Sequence, residues 1–229
     1  MEAIILAGGR GKRLANLTTH TPKPMLSVAG KPFLVHILYT LRTRGITEVI
    51  ISVGYLRESI MRQLKNNYGG MTIAYAEEKS PLGTGGGLFN ALPLCKKNDV
   101  LVLNGDSFSD INYFDMMSKH KNSSSRMTIG IKHVPDTSRY GRVNIKSGMI
   151  SMFEEKGVGG PGFINVGVYI VQREYLLSME TPAVFSLERD FLISKLDELK
   201  PRAYKVNGYF IDIGIPESYK LAQGYFRMK

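Results

Sequence analysis

A chain of 229 residues can bury one substantial core and is short for two, so a single large domain is expected. Its 43% hydrophobic and 22% charged residues are ordinary for a globular protein, no apolar run nears the roughly 20 residues that span a bilayer, and a cytoplasmic location is expected. One cysteine, Cys95, excludes a disulfide framework. A net charge of +10 without any run of five basic residues points to small phosphorylated substrates rather than to nucleic acid or a membrane surface.

In chain order, residues 3–6 are aliphatic and stop at Gly8 and Gly9, as a buried strand running into a tight turn does. Gly8, Gly9 and Gly11 carry no side chain, so an anion can come close to their amides. Four cations, Arg10, Lys12, Arg13 and Lys23, stand in or just after that turn. Two familiar phosphate loops nevertheless fail here. A dinucleotide turn needs a glycine where Leu14 stands, and a P-loop needs Ser or Thr after Gly-Lys, where Arg13 and Pro32 stand.

Pro32 can open a helix whose apolar positions Phe33, Leu34, Ile37, Leu38 and Leu41 recur at helical spacing until Gly45. Residues 48–53 read as a buried strand, 59–64 as amphipathic helix, 72–76 as a third strand and 99–103 as a fourth. Strands alternating with helices imply a doubly wound α/β sheet with ligands at the carboxyl ends of its strands. The run from Glu77 to Gly87 leaves the third strand at that end, and Asn104-Gly105-Asp106 leaves the fourth. An acidic residue there, after a glycine, is where a magnesium ligand is expected. Helix is predicted over 113–121. Strand-like segments then follow at 127–134, 141–145, 150–155 and 163–171, with no room for helices between them. Helices at 173–177 and 185–199, a return to the sheet at 209–216 and a last helix at 216–225 complete the reading. Asp212, an acid inside an apolar strand, needs a compensating cation or donors.

The pairing of LAGGRGKRL with Pro22-Lys23-Pro24 resembles the signature of the sugar-phosphate nucleotidyltransferases, which make nucleoside diphosphate sugars from a nucleoside triphosphate and a sugar 1-phosphate. The resemblance runs through nearly the whole chain. It implies a Rossmann-like mixed sheet with an inserted antiparallel sugar-binding lid, in one domain over 1–229, its nucleotide-binding half at 1–126 and its lid and return at 127–229. By resemblance, Leu6, Ala7, Gly8, Gly9 and Gly11 wrap the nucleotide, while Arg13 and Lys23 hold the phosphates and, with Asp106, carry catalysis. Lys12 departs from the Thr or Ser common at its position. The P-L-G-T segment places Pro81, Gly83, Thr84 and Gly85 against base and ribose. Glu77 is a partner for the N1 and N2 donors of guanine, which favours GTP.

For the acceptor sugar phosphate the resemblance implies Asn104, Tyr140, Gly141, Glu154, Lys156 and Asn165. Asp106 and Asp212 would be the ligands of Mg2+. The second metal motif is incomplete, because Phe210 and Ile215 stand where the family has tryptophan and threonine. Retention of Arg13, Lys23, Asp106 and Asp212 favours an enzyme over a non-catalytic nucleotide-sugar-binding paralogue. Guanylyl transfer is favoured over uridylyl, thymidylyl or cytidylyl transfer. No metal-ligand spacing links His20, His36, His120 and His133, and a homo-oligomer is compatible with the sequence.

Overall fold

The aliphatic run near the N-terminus forms β1 (Glu2–Leu6), a central strand of a ten-stranded mixed sheet. This computed structural model describes residues 1–9, 18–157 and 159–228. The strands that follow are β2 (Ser27–Val28), β3 (Lys31–Pro32), β4 (Glu48–Val53), β5 (Asn67–Tyr68), β6 (Met71–Glu77), β7 (Asp99–Asn104) and β8 (Ser107–Ser109). After them come β9 (Met127–Val134), β10 (Val143–Lys146), β11 (Met149–Phe153), β12 (Gly162–Gln172), β13 (Arg202–Lys205) and β14 (Phe210–Asp212). The connecting helices are α1 (Phe33–Thr43), α2 (Arg57–Leu64), α3 (Gly83–Ala91), α4 (Tyr113–Lys121), α5 (Arg173–Leu177), α6 (Leu196–Leu199) and α7 (Pro216–Arg227).

The sheet order is β10-β11-β13-β9-β12-β7-β1-β4-β6-β5. Strands β7, β1, β4 and β6 are parallel, with Ile4 level with Ile50 on one side and Val102 on the other. Beyond β7 the direction reverses at β12, so the antiparallel segments read from the sequence extend this same sheet. Successive residues of β1 serve opposite faces. Ala3 and Ile5 join a core with Phe33 and Leu34 of α1, Met116 of α4 and Phe226 of α7, while Ile4 joins one with Leu88 and Ala91 of α3. Burial on both faces is why these strands are continuously apolar instead of alternating. Glu2, also buried, accepts from the Lys96 and Lys97 amides at 2.8 and 2.6 Å, at the end of β1 remote from the glycine turn. Among the described residues no helix is long and apolar enough to cross a membrane.

Two segments differ from the sequence expectation. The helix expected over 185–199 is divided into a π-helical stretch, Leu187–Leu192, and the short α6, the start of the segment being held by one tertiary bond and one local cap. Thr84 Oγ1 accepts the Leu187 amide at 2.9 Å, and Ser186 Oγ accepts the Arg189 amide at 3.2 Å. The return strand, β14, pairs with β8 in a separate ladder, and the unpredicted β13 fills the position beside β9 in the main sheet.

Candidate active site

A cleft of about 600 Å³ opens across the carboxyl ends of the parallel strands. Its floor is the exit of β1, where Leu6, Ala7, Gly8 and Gly9 line it. The neighbouring strand ends approach closely: a Cβ on Gly8 would lie 2.3 Å from Glu78 Oε1, and one on Gly105 would lie 2.8 Å from Leu6 O. Small residues are therefore required at both exits. Gly105 donates to Leu6 O at 2.9 Å, and this fixes the turn that delivers Asp106 to the cleft. Opposite stands Lys23 in a single 3-10 turn, with Pro22 before it and Pro24 after it. Two proline rings fix φ on either side of the lysine, which limits how its backbone can swing. Lys23 Nζ donates to Asp106 Oδ2 at 2.5 Å.

At one end of the cleft Glu78 is buried and already accepts two hydrogen bonds. Ser52 Oγ donates to its Oε1 at 3.0 Å and the Leu82 amide to its Oε2 at 3.1 Å. A carboxylate has about four lone-pair sites, so two further donors can still be accepted. Pro81, Gly83 and Thr84 line the same wall. At the other end stand Asn104, Tyr140, Lys156 and Asn165. The Oδ1 atom of Asn104 is buried and has no hydrogen-bond partner among the described residues, as expected of a group reserved for a ligand. Gly167 adopts φ +71, and a register shift between Asn165 and Tyr169 turns both side chains to the cleft. Asn165 Nδ2 donates to the Tyr169 hydroxyl at 2.9 Å, which in turn donates to Glu188 Oε1 at 3.1 Å. Burial first, and then the Glu188 carboxylate, raise the Tyr169 phenol well above its ordinary pKa, so it stays a donor.

A family profile described as "Nucleotidyl transferase" matches residues 2–226. The chain belongs to the nucleotidyl transferase family. It is 41% identical over 220 residues to the D-glycero-alpha-D-manno-heptose 1-phosphate guanylyltransferase of Campylobacter jejuni, covering 96% of this chain and 97% of the relative. Identity is 38% over 223 residues to the protein of the same name from Aneurinibacillus thermoaerophilus, covering 97% of each. The crystal structure of HddC from Yersinia pseudotuberculosis complexed with GMP-PN superposes with a TM-score of 0.86 at 33% identity, covering 98% of this chain and 99% of that one.

In this nucleotidyl transferase the backbone segments that carry the two expected metal aspartates, far apart in sequence, are neighbours, and of the two side chains only Asp106 lines the cleft. Asp212 pairs with Ser107 across the β8–β14 ladder, and Ile213 N donates to Asp106 O at 2.9 Å. Among the described residues no three His, Cys, Asp or Glu side chains gather into a closed cage. A carboxylate at the open cleft, Asp106, with a second on the adjoining strand, fits magnesium, which binds one or two carboxylates and completes its shell with water and phosphate oxygens. Nucleophilic and general-base alternatives find no support among the described residues. Burial pushes the Cys95 thiol up to about 12, and no histidine lines the cleft.

Several expected contacts stand elsewhere in the transferase. Gly11 and Arg13 lie outside the described residues. Glu77 points out of the cleft, with Oε2 3.4 Å from Arg57 Nε, because adjacent residues at a strand end face opposite ways. Glu154 accepts from Asn144 Nδ2 at 2.6 Å, and Gly141, at φ +82, gives way to Glu154 O, which would lie 2.6 Å from a Cβ there. Neither lines the cleft. Tyr169, Ser186, Glu188 and Arg189 do line it and were not read from the sequence. The signal for Tyr169 was a phenol inside an apolar strand, since a buried hydroxyl needs a partner.

Gly85 of α3 does not line the cleft and packs against the Phe185 segment. A Cβ on Gly85 would lie 2.2 Å from the Phe185 ring, and its amide donates to Phe185 O at 3.0 Å. Gly85→Ala is therefore expected to cost about 1–3 kcal/mol of stability through overpacking. Denaturant unfolding measures this. Adding Phe185→Leu should recover part of the loss, whereas a Gly85 that served only the nucleotide would leave the unfolding midpoint unmoved.

Proposed function

We propose that this nucleotidyl transferase moves GMP from GTP to a sugar 1-phosphate, D-glycero-α-D-manno-heptose 1-phosphate being the favoured acceptor, with release of pyrophosphate. The observation that carries the reading is one cleft holding the Lys23–Asp106 pair between a buried carboxylate, Glu78, and a wall of Asn104, Tyr140, Lys156 and Asn165. The names of the two heptose 1-phosphate guanylyltransferases, aligned almost from end to end, supply the choice of base and sugar.

The chemistry follows from charge. A phosphate monoester has its second pKa near 6, so the acceptor is largely ionised at neutral pH and needs no general base. The obstacle is the meeting of two anions. Lys23 faces the α-phosphate from a rigid turn, and Lys156 holds the acceptor phosphate, whose oxygen bonds to the α-phosphorus as the bond to the leaving pyrophosphate breaks. Arg13 meets the β and γ phosphates. Glu78 takes the base-reading role first assigned to Glu77. Its buried carboxylate accepts the N1 and N2 hydrogens of guanine, while Asn165 and Tyr169 meet sugar hydroxyls. Magnesium, when held by Asp106 and Asp212, supplies charge neutralisation at the α-phosphate.

Pyrophosphate release measured for each nucleoside triphosphate against heptose, mannose and glucose 1-phosphates tests the reading. GTP with the heptose 1-phosphate should give the highest kcat/KM, and chelation of divalent ions should abolish turnover. Tenfold preference for another pair, or full activity with the metal removed, would overturn it.

A further inference from the structure

Asp212 sits in an apolar strand, 16% exposed in its side chain, and the structure shows what compensates its charge. Arg139 Nη2 donates to both of its carboxylate oxygens, at 2.8 and 2.7 Å, and to Ser218 Oγ of α7 at 3.2 Å. The Gly214 amide donates to Asp212 Oδ1 at 2.7 Å. Both aspartates are thus already neutralised, Asp106 by Lys23 and Asp212 by Arg139. The four charges sum to zero. A bare divalent ion gains little from such a site, whereas a metal with triphosphate attached brings anions that can repay the displaced cations.

Arg139 belongs to a turn in which the Tyr140 and Gly141 amides donate to Thr137 O at 2.9 and 3.1 Å. Its guanidinium carbon lies 5.0 Å from the centroid of the Tyr140 ring, and that ring meets Phe210 of β14 edge-on at 5.7 Å. The same turn is joined to the segment carrying Lys156. Gly157 N donates to Ser138 O at 2.8 Å, and Glu154 N donates to Arg142 O at 2.8 Å. The Arg139 contact therefore pins the wall that holds Tyr140 and Lys156 onto β14 and α7.

We propose that Arg139 is a resident counter-ion which a divalent metal must displace from Asp212, so that arrival of the metal with its nucleotide unpins the turn at 137–141. This rests on the reading of Asp212 as a metal ligand. Arg139 is then a positioning residue, which sets the affinity of the metal and the mobility of the sugar-side wall together.

The test titrates Mn2+ into wild type, Arg139→Gln, Arg139→Lys and Asp212→Asn, each saturated with a non-hydrolysable GTP analogue, and follows water proton relaxation. Hydrogen exchange is followed on the amides of residues 137–141, with thermal melts confirming folding. Arg139→Gln should bind Mn2+ about 5- to 10-fold more tightly, Arg139→Lys about threefold more tightly because its cation lacks the planar fork, and Asp212→Asn at least about tenfold more weakly. Exchange at 137–141 should quicken in wild type on adding metal and be fast in Arg139→Gln without it. Weaker Asp212→Asn binding together with unchanged or weaker binding by both Arg139 variants would overturn the competition while leaving Asp212 a ligand. Wild-type binding by Asp212→Asn would overturn both readings.

Discussion

Lys23→Met is expected to lower kcat by about 10²–10³, or roughly 2.7–4 kcal/mol of barrier, with little loss of stability. The first part follows from where the charge stands. Lys23 Nζ is 2.5 Å from Asp106 Oδ2, its side chain is only 9% exposed, and the prolines on either side leave its backbone little room to retreat. A fixed cation with its water already removed costs no reorganisation when charge shifts onto the bridging and leaving oxygens. The second part follows from Asp106. Its side chain is 40% exposed, so water reaches the carboxylate once the lysine is gone, and the lost pair is worth only about 0–1 kcal/mol. Methionine keeps much of the aliphatic length. Steady-state kinetics with both substrates saturating, beside thermal melts, separate the two effects. A kcat within threefold of wild type would remove Lys23 from the reaction.

The parts of this site legible in the sequence are those set by the backbone of one strand end. An aliphatic run stopped by glycines gave the central strand, and Asn104-Gly105-Asp106 gave an acid at a strand exit, because only glycine tolerates Leu6 O so close. Asp212 was conspicuous for the opposite reason, an unexplained charge among apolar neighbours. What stayed hidden depends on facing and on distant contacts. Glu77 and Glu78 are equivalent as a doublet, and which one enters the cleft is decided where β6 ends and Glu78 N donates to Val53 O at 2.8 Å. The compensating cation of Asp212 could not be read either, since it comes from a turn 73 residues earlier in the chain. Glu188 fell inside the helix expected over 185–199. Instead it accepts from Thr84 Oγ1 at 2.9 Å and from Tyr169, contacts that only the folded chain creates.

Glu78→Gln should change which base the enzyme prefers. Guanine presents two adjacent donors, N1–H and N2–H, and a carboxylate can accept both. Glutamine offers one acceptor and one donor group, so one guanine hydrogen would meet an N–H. Adenine, with a donor beside an acceptor, fits an amide better. Loss of a hydrogen bond to a charged group costs about 1.5–3 kcal/mol, so kcat/KM for GTP should fall about 10- to 150-fold while that for ATP holds or rises. Two features of the fold sharpen the test. The Ser52 and Leu82 donors keep the Glu78 side chain in its place, and the amide oxygen can retain one of them, which a melt will verify. Glu77→Gln provides the control, because Glu77 faces Arg57 outside the cleft and its loss should leave the GTP to ATP ratio within about twofold. If the Glu77 variant moves that ratio and the Glu78 variant does not, the base is read from the other side of β6.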